Sequence, residues 1–214
     1  MKPSEPGRDP RLVFLLAIPA LVAAGFLVQA AVGPGPSVGF RTNRAIEWFE
    51  SGRADLAWPE NERILAERPD DPGSWLRAGR SLRVLDRPAE AALHFTRGTQ
   101  LAPDDETLQF ERARAFLEAG LPELAEQAAT ECLAIEPEHA GAHYVHAAVA
   151  VGRGDTSAAL DALARSLDCG PSWPDRFRSD PAMDPLRNDF RFLPMVIERR
   201  VPGLFRVENA PRRL

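Results

Sequence analysis

The chain has 214 residues and a formal net charge of −5; 44% of its residues are hydrophobic, 27% are charged, and tyrosine occurs once. That balance excludes a disordered chain, and a mild acidic excess without a block of like charge in the body argues against nucleic-acid binding, which needs a basic face. The abundance of Ala, Leu, Arg and Glu favours helix over strand.

Residues 1–11 carry Lys2, Arg8 and Arg11, offset by Glu5 and Asp9. Residues 12–32 form an apolar run of 21 residues interrupted only by Gln29. At about 1.5 Å per residue a helix over this run reaches roughly 31 Å, the thickness of a bilayer core. The flank that follows, 33–39, is uncharged and rich in Gly and Pro, and reads as a linker. The positive-inside bias predicts a cytoplasmic amino terminus and an extracytoplasmic (periplasmic) remainder; Arg41 and Arg44 keep that bias modest. A cleaved signal peptide is the competing reading, with Val28-Gln29-Ala30 offering small residues to a peptidase. The length of the run favours an uncleaved anchor, and a membrane span tolerates Pro19. Both readings export the body of the protein.

The body repeats. Pro69, Pro103, Pro137 and Pro171 are each 34 residues apart, and Ala57, Ala91, Ala125 and Ala159 keep the same period, each 12 residues before its proline. The physical reading is a stack of helical hairpins. Each alanine sits where two helices cross closely, and each proline ends a second helix. Asp70-Asp71 and Asp104-Asp105 follow two of the prolines, where they can cap the next helix. Gly52, Gly120 and Gly154 recur at the turn inside the hairpin, where a left-handed conformation is often needed. Pro59 falls inside the second helix of the first unit, so that helix is expected to start late or kink.

On these residues the chain resembles the tetratricopeptide-repeat family. Trp75, Gly79, Leu82, Ala91 and Phe95 match its pattern in repeat two; Ala113, Phe116, Gly120, Ala125 and Pro137 in repeat three; Ala147, Gly154, Ala159, Leu163 and Pro171 in repeat four. Repeat one is degenerate but keeps Ala45, Trp48, Gly52, Ala57 and Pro69. The resemblance implies an all-α right-handed superhelix of four hairpins over residues 40–171. Residues 172–198, with Ser179 to Phe192, resemble the segment that closes such arrays in bacterial proteins. That segment would bring Phe177, Leu186, Phe192 and Leu193 over the last apolar face. Residues 199–214 are a basic tail holding Arg199, Arg200, Arg206, Arg212 and Arg213.

By the family's pattern the units begin at Val38, Pro72, Glu106 and Ala140, and their first helices line a concave groove. The groove would present Leu76, Arg80, Arg83, Phe110, Arg114 and Tyr144 to a protein or peptide partner. Arg80 and Arg114, one repeat apart, suit a partner bearing carboxylates; the plainer reading is solvated arginines lying over apolar side chains. The family's chaperone-tail subclass uses a lysine and asparagine clamp. Here Ile46 and Arg77 stand where that subclass has asparagine, so chaperone-tail binding is not expected.

Other chemistry is sparse. His139, His143 and His146 fall at i, i+4 and i+7, a spacing that could hold zinc or copper, but the family's pattern places the last two between helices. His94 lies beside Phe95 without an obvious partner. Cys132 and Cys169 lack metal or haem spacing; a disulfide between them is possible in an oxidising compartment, and buried apolar filler is the alternative. There is no nucleophile elbow, glycine-rich phosphate loop or HExxH. The expectation is therefore a membrane-anchored scaffold, not an enzyme, with no cofactor. A permanent structural subunit of a membrane complex and a histidine-based metal-handling module are the alternatives.

Overall fold

The protein is described by a computed structural model over residues 35–170 and 180–198, the side chains of residues 196–198 excepted. The anchor expected over residues 12–32 lies outside these, as do Pro171, Phe177 and the basic tail. Among the described residues no helix is long and apolar enough to cross a membrane.

The chain divides into two compact units, Met1–Asn43 and Arg44–Leu214. In the first, the described residues open helix α1 (Val38–Glu50). Ser37 starts it by accepting the Phe40 N–H at 3.3 Å, and the Thr42 hydroxyl bonds back to the Val38 carbonyl at 2.9 Å.

The second unit is built from helical hairpins. After α1 come α2 (Ala54–Glu67), α3 (Pro72–Val84), α4 (Pro88–Leu101), α5 (Glu106–Glu118), α6 (Pro122–Ile135), α7 (Ala140–Gly152) and α8 (Thr156–Cys169). First helices begin at Val38, Pro72, Glu106 and Ala140, the boundaries expected from the prolines. Local chemistry fixes them. Asp71 caps α3 by accepting the Gly73 N–H at 3.2 Å, and Asp105 caps α5 by accepting the Leu108 N–H at 2.9 Å. Pro88 and Pro122 open α4 and α6 at the first-turn position where a missing N–H costs nothing.

One local expectation is corrected. Helix α2 does not start late: it begins at Ala54, in register with Pro88, Pro122 and Thr156, and carries Pro59 inside it. Pro59 is exposed, so water can serve the carbonyl it leaves unpaired one turn back. The hairpin turns place Gly52, Gly120 and Gly154 at φ 77°, 73° and 76°, but the same register in repeat two falls on Asp86, at φ 58°. An L-residue with a side chain is held there in the left-handed region.

The core runs between neighbours. Ala57, Ala91, Ala125 and Ala159 are fully buried. Glycine permits still closer approach: a Cβ on Gly79 would lie 2.6 Å from the Phe95 ring, and one on Gly98 2.7 Å from Leu108 of the next hairpin. One cluster joins Leu82, Ala91 and Phe95 to Leu108 and Ala115; another joins Ala113, Ala125 and Cys132 to Val145 and Val149. Each cluster spans two successive hairpins, the nearest-neighbour packing of a repeat array.

A closing segment follows, a 3-10 turn (Pro181–Leu186) capped by Asp180 and a short helix α9 (Phe192–Glu198). Met183, Leu186 and Phe192 bury themselves against Leu160, Leu163 and Leu167 of α8. Leu193, expected in that cover, is 50% exposed, while Met183 is fully buried in it. The 3-10 turn directs residues three apart, 183 and 186, to the same face, and in α9 a rotation of about 100° per residue turns Leu193 away when Phe192 faces inward.

Two substitutions test this packing by urea denaturation followed by circular dichroism. Asp86→Gly should stabilise the array by about 0.5–1 kcal/mol through relief of the left-handed strain. Gly79→Ala should destabilise it by about 1–3 kcal/mol, because the Phe95 ring has no free space to move into.

Candidate functional site

The 34-residue register makes Ile46, Arg80 and Arg114 equivalent, and likewise Phe49 and Arg83. Between α1 and α3 lies a groove of about 400 Å³, lined by Ala45, Ile46, Phe49, Glu50, Asn61, Gly73, Leu76, Arg77 and Arg80. Of the residues expected in a groove, Leu76 and Arg80 stand in it. Ile46 and Phe49 hold the same register in repeat one, where the degeneracy of the repeat hides them. Arg44 ties α1 to α2 through Glu60 at 3.2 Å, with Glu60 only 3% exposed.

Beyond the groove, α3 and α5 are joined by a ladder of ion pairs. Arg80 Nε donates to Glu111 Oε1 at 2.8 Å, and Arg83 lies 3.6 Å from the other Glu111 oxygen. Arg83 also reaches Glu118 at 3.2 Å, and Arg114 Nε donates to the same carboxylate at 3.0 Å. Glu111 is 8% exposed, so its pairing with two guanidinium groups acts in a partly desolvated setting. The sequence suggested either a partner's carboxylates or solvent around Arg80, Arg83 and Arg114; the structure supplies carboxylates from the protein's own α5.

Phe110 and Tyr144 turn toward the protein. Phe110 packs against the α6–α7 cluster, 4.7 Å from the His139 ring, over Gly141, where a Cβ would lie 2.5 Å from it. Tyr144 is 9% exposed, and its phenol donates to Asp180 of the closing segment.

The histidines have separate tasks. His139 caps α7, its Nδ1 accepting the Ala142 N–H at 3.1 Å. His143 Nε2 lies 3.0 Å from the Pro137 carbonyl, which it can only approach as a donor, and His146 Nε2 lies 3.4 Å from the Thr130 hydroxyl. Among the described residues no group of three or more His, Cys, Asp or Glu is placed to hold a metal ion. His94 does have partners: its ring lies 5.6 Å from that of Trp58 and 5.4 Å from that of Trp75. Cys132 and Cys169 are both free thiols. Burial pushes the Cys132 thiol up to about 12, helped by Glu106 and Glu136, so it is an inert packing group at neutral pH.

No protein-family model matches the sequence, and no curated protein does. Solved structures resemble it. MamA of Desulfovibrio magneticus RS-1 superposes with a TM-score of 0.62 at 17% identity, covering 78% of this chain and 93% of its own. A thermophilic TPR protein of Thermus thermophilus, TTC0263, gives 0.62 at 18%, covering 76% and 88%. YrrB, described as a TPR protein with an unusual peptide-binding site, gives 0.56 at 16%, covering 75% and 84%. At such identities the likeness is one of fold, and the fold is that of the tetratricopeptide repeat.

Glu111→Ala should lower stability by about 1–3 kcal/mol, since it leaves Arg80 without its carboxylate beside a buried gap; urea denaturation measures it. The His139 cap makes a second prediction. Burial holds this imidazole below its ordinary value, against its backbone hydrogen bond and the pull of Glu106 and Glu136. The unfolded chain takes up the proton near pH 6.5, the folded chain only at lower pH. Its contribution is therefore complete above about pH 6.5 and lost as pH falls through the folded value. His139→Asn, a neutral cap, should flatten the loss of thermal stability between about pH 7 and pH 5.

Proposed function

We propose that this protein is a scaffold, tethered to a membrane by residues 12–32, whose right-handed repeat array stands outside the cytoplasm and holds a protein or peptide partner of an envelope complex. The observation that carries the reading is the groove between α1 and α3, an apolar recess on rigid helices with charged groups at its edge. Binding energy there comes from side chains already in place, so little ordering cost opposes it. A membrane tether would raise the local concentration of partner and scaffold for each other. The peptide-binding site named for YrrB supports the same use of this fold. The reading includes no catalytic step and no cofactor. Arg80 and Arg114 favour a partner with acidic groups, within the limits that Glu111 and Glu118 impose.

A second reading, a permanent structural subunit, draws on the second helices, where Leu93 is 70% and Leu124 44% exposed. Photocrosslinking in the native membrane separates the two. Lys2 is the chain's single lysine, so a benzoylphenylalanine placed at Ile46 or at Leu93 suits the protein better than amine reagents. A discrete adduct from Ile46 and none from Leu93 is expected. Adducts from Leu93 alone would replace the scaffold with the structural subunit. Retention of the full-length chain in carbonate-washed membranes is expected for the tether, and a shortened, released chain would refute it.

A further inference from the structure

We propose that the groove between α1 and α3 anchors a peptide segment presenting one large apolar side chain with a carboxylate beside it. This deepens the scaffold reading and rests on it.

The floor is Ile46, Phe49 and Leu76, and Ile46 is 38% exposed, so an apolar surface stands open to solvent in a recess of about 400 Å³. That volume lies near the lower end of the range for small-ligand sites and accepts one or two side chains, not a folded domain. One polar feature makes the recess selective. Arg80 hydrogen-bonds Glu111 through its Nε, and its terminal amino groups make no hydrogen bond among the described residues. They remain able to grip an incoming carboxylate through charge-assisted hydrogen bonds.

Asn61, 3% exposed, belongs to the lining as a structural group: its Nδ2 donates to the Ser81 hydroxyl at 3.1 Å, and its Oδ1, without a hydrogen-bond partner, is closed to solvent and to an occupant. Glu50, from α1, also lines the groove and repels an acid placed beside it, which favours the carboxylate at Arg80.

The test is a random-peptide display library screened against the purified full-length chain. The expected winners carry Leu, Ile, Phe or Trp next to Asp or Glu. Ile46→Asp should weaken the winning peptide by more than about tenfold. Arg80→Gln should keep the apolar requirement and abolish the acidic one. Leu93→Asp, on a second helix, should change nothing, and thermal melts confirm that the variants are folded; Ile46→Ala replaces Ile46→Asp where the latter is not. No enrichment, a consensus without an acid, or binding insensitive to Ile46 substitution overturns the anchor. If Ile46 nonetheless crosslinks a partner in the membrane, the scaffold stands and only the anchor chemistry falls. Crosslinks confined to Leu93 remove both.

Discussion

Close approach of helices governs this structure. Fully buried alanines at 57, 91, 125 and 159 let the two helices of a hairpin meet, and Gly79, Gly98 and Gly141 bring backbone against Phe95, Leu108 and Phe110. Because two of those three contacts, at Gly98 and Gly141, cross from one hairpin to the next, the same small residues that close a unit also set the step between units. Side chains at equivalent register positions then line up along the first helices, and the groove follows from that alignment.

Electrostatics refine what the alignment offers. Three guanidinium groups, of Arg80, Arg83 and Arg114, share the two carboxylates of Glu111 and Glu118. This ladder braces α3 against α5 and moderates the positive potential that three arginines would otherwise project. Selectivity in the recess beside it then depends more on apolar shape and on individual hydrogen-bond donors and acceptors than on bulk charge.

Much of this was legible in the residue order. The period of the prolines located the helix starts, because a residue that cannot continue a helix marks its end in any context. Asp71 and Asp105 could be read as caps because capping is local. What escaped the sequence was relational. Glu111 occupies none of the positions expected to face the groove, and only the stacking of α5 on α3 brings it to Arg80 and Arg83. Tyr144 carried the right register, yet its phenol is taken by Asp180, thirty-six positions away. Met183 joins the cover because a 3-10 turn sets it beside Leu186, and Leu193 leaves it because α9 turns its neighbour Phe192 inward. The apolar run over residues 12–32 lies outside the described residues, and its reading rests on length and flanking charge alone.

The location of the groove carries a thermodynamic consequence. In an array stabilised neighbour by neighbour, terminal units open more readily than internal ones. The carboxyl-terminal end is sealed by Met183, Leu186 and Phe192, whereas the groove belongs to the opening hairpin, whose α1 is pinned to α2 by Arg44 and Glu60. Occupancy and fraying of that hairpin are therefore linked equilibria: an occupant staples α1 to α3 and suppresses opening, and any change that loosens α1 taxes affinity by the fraction of molecules left open.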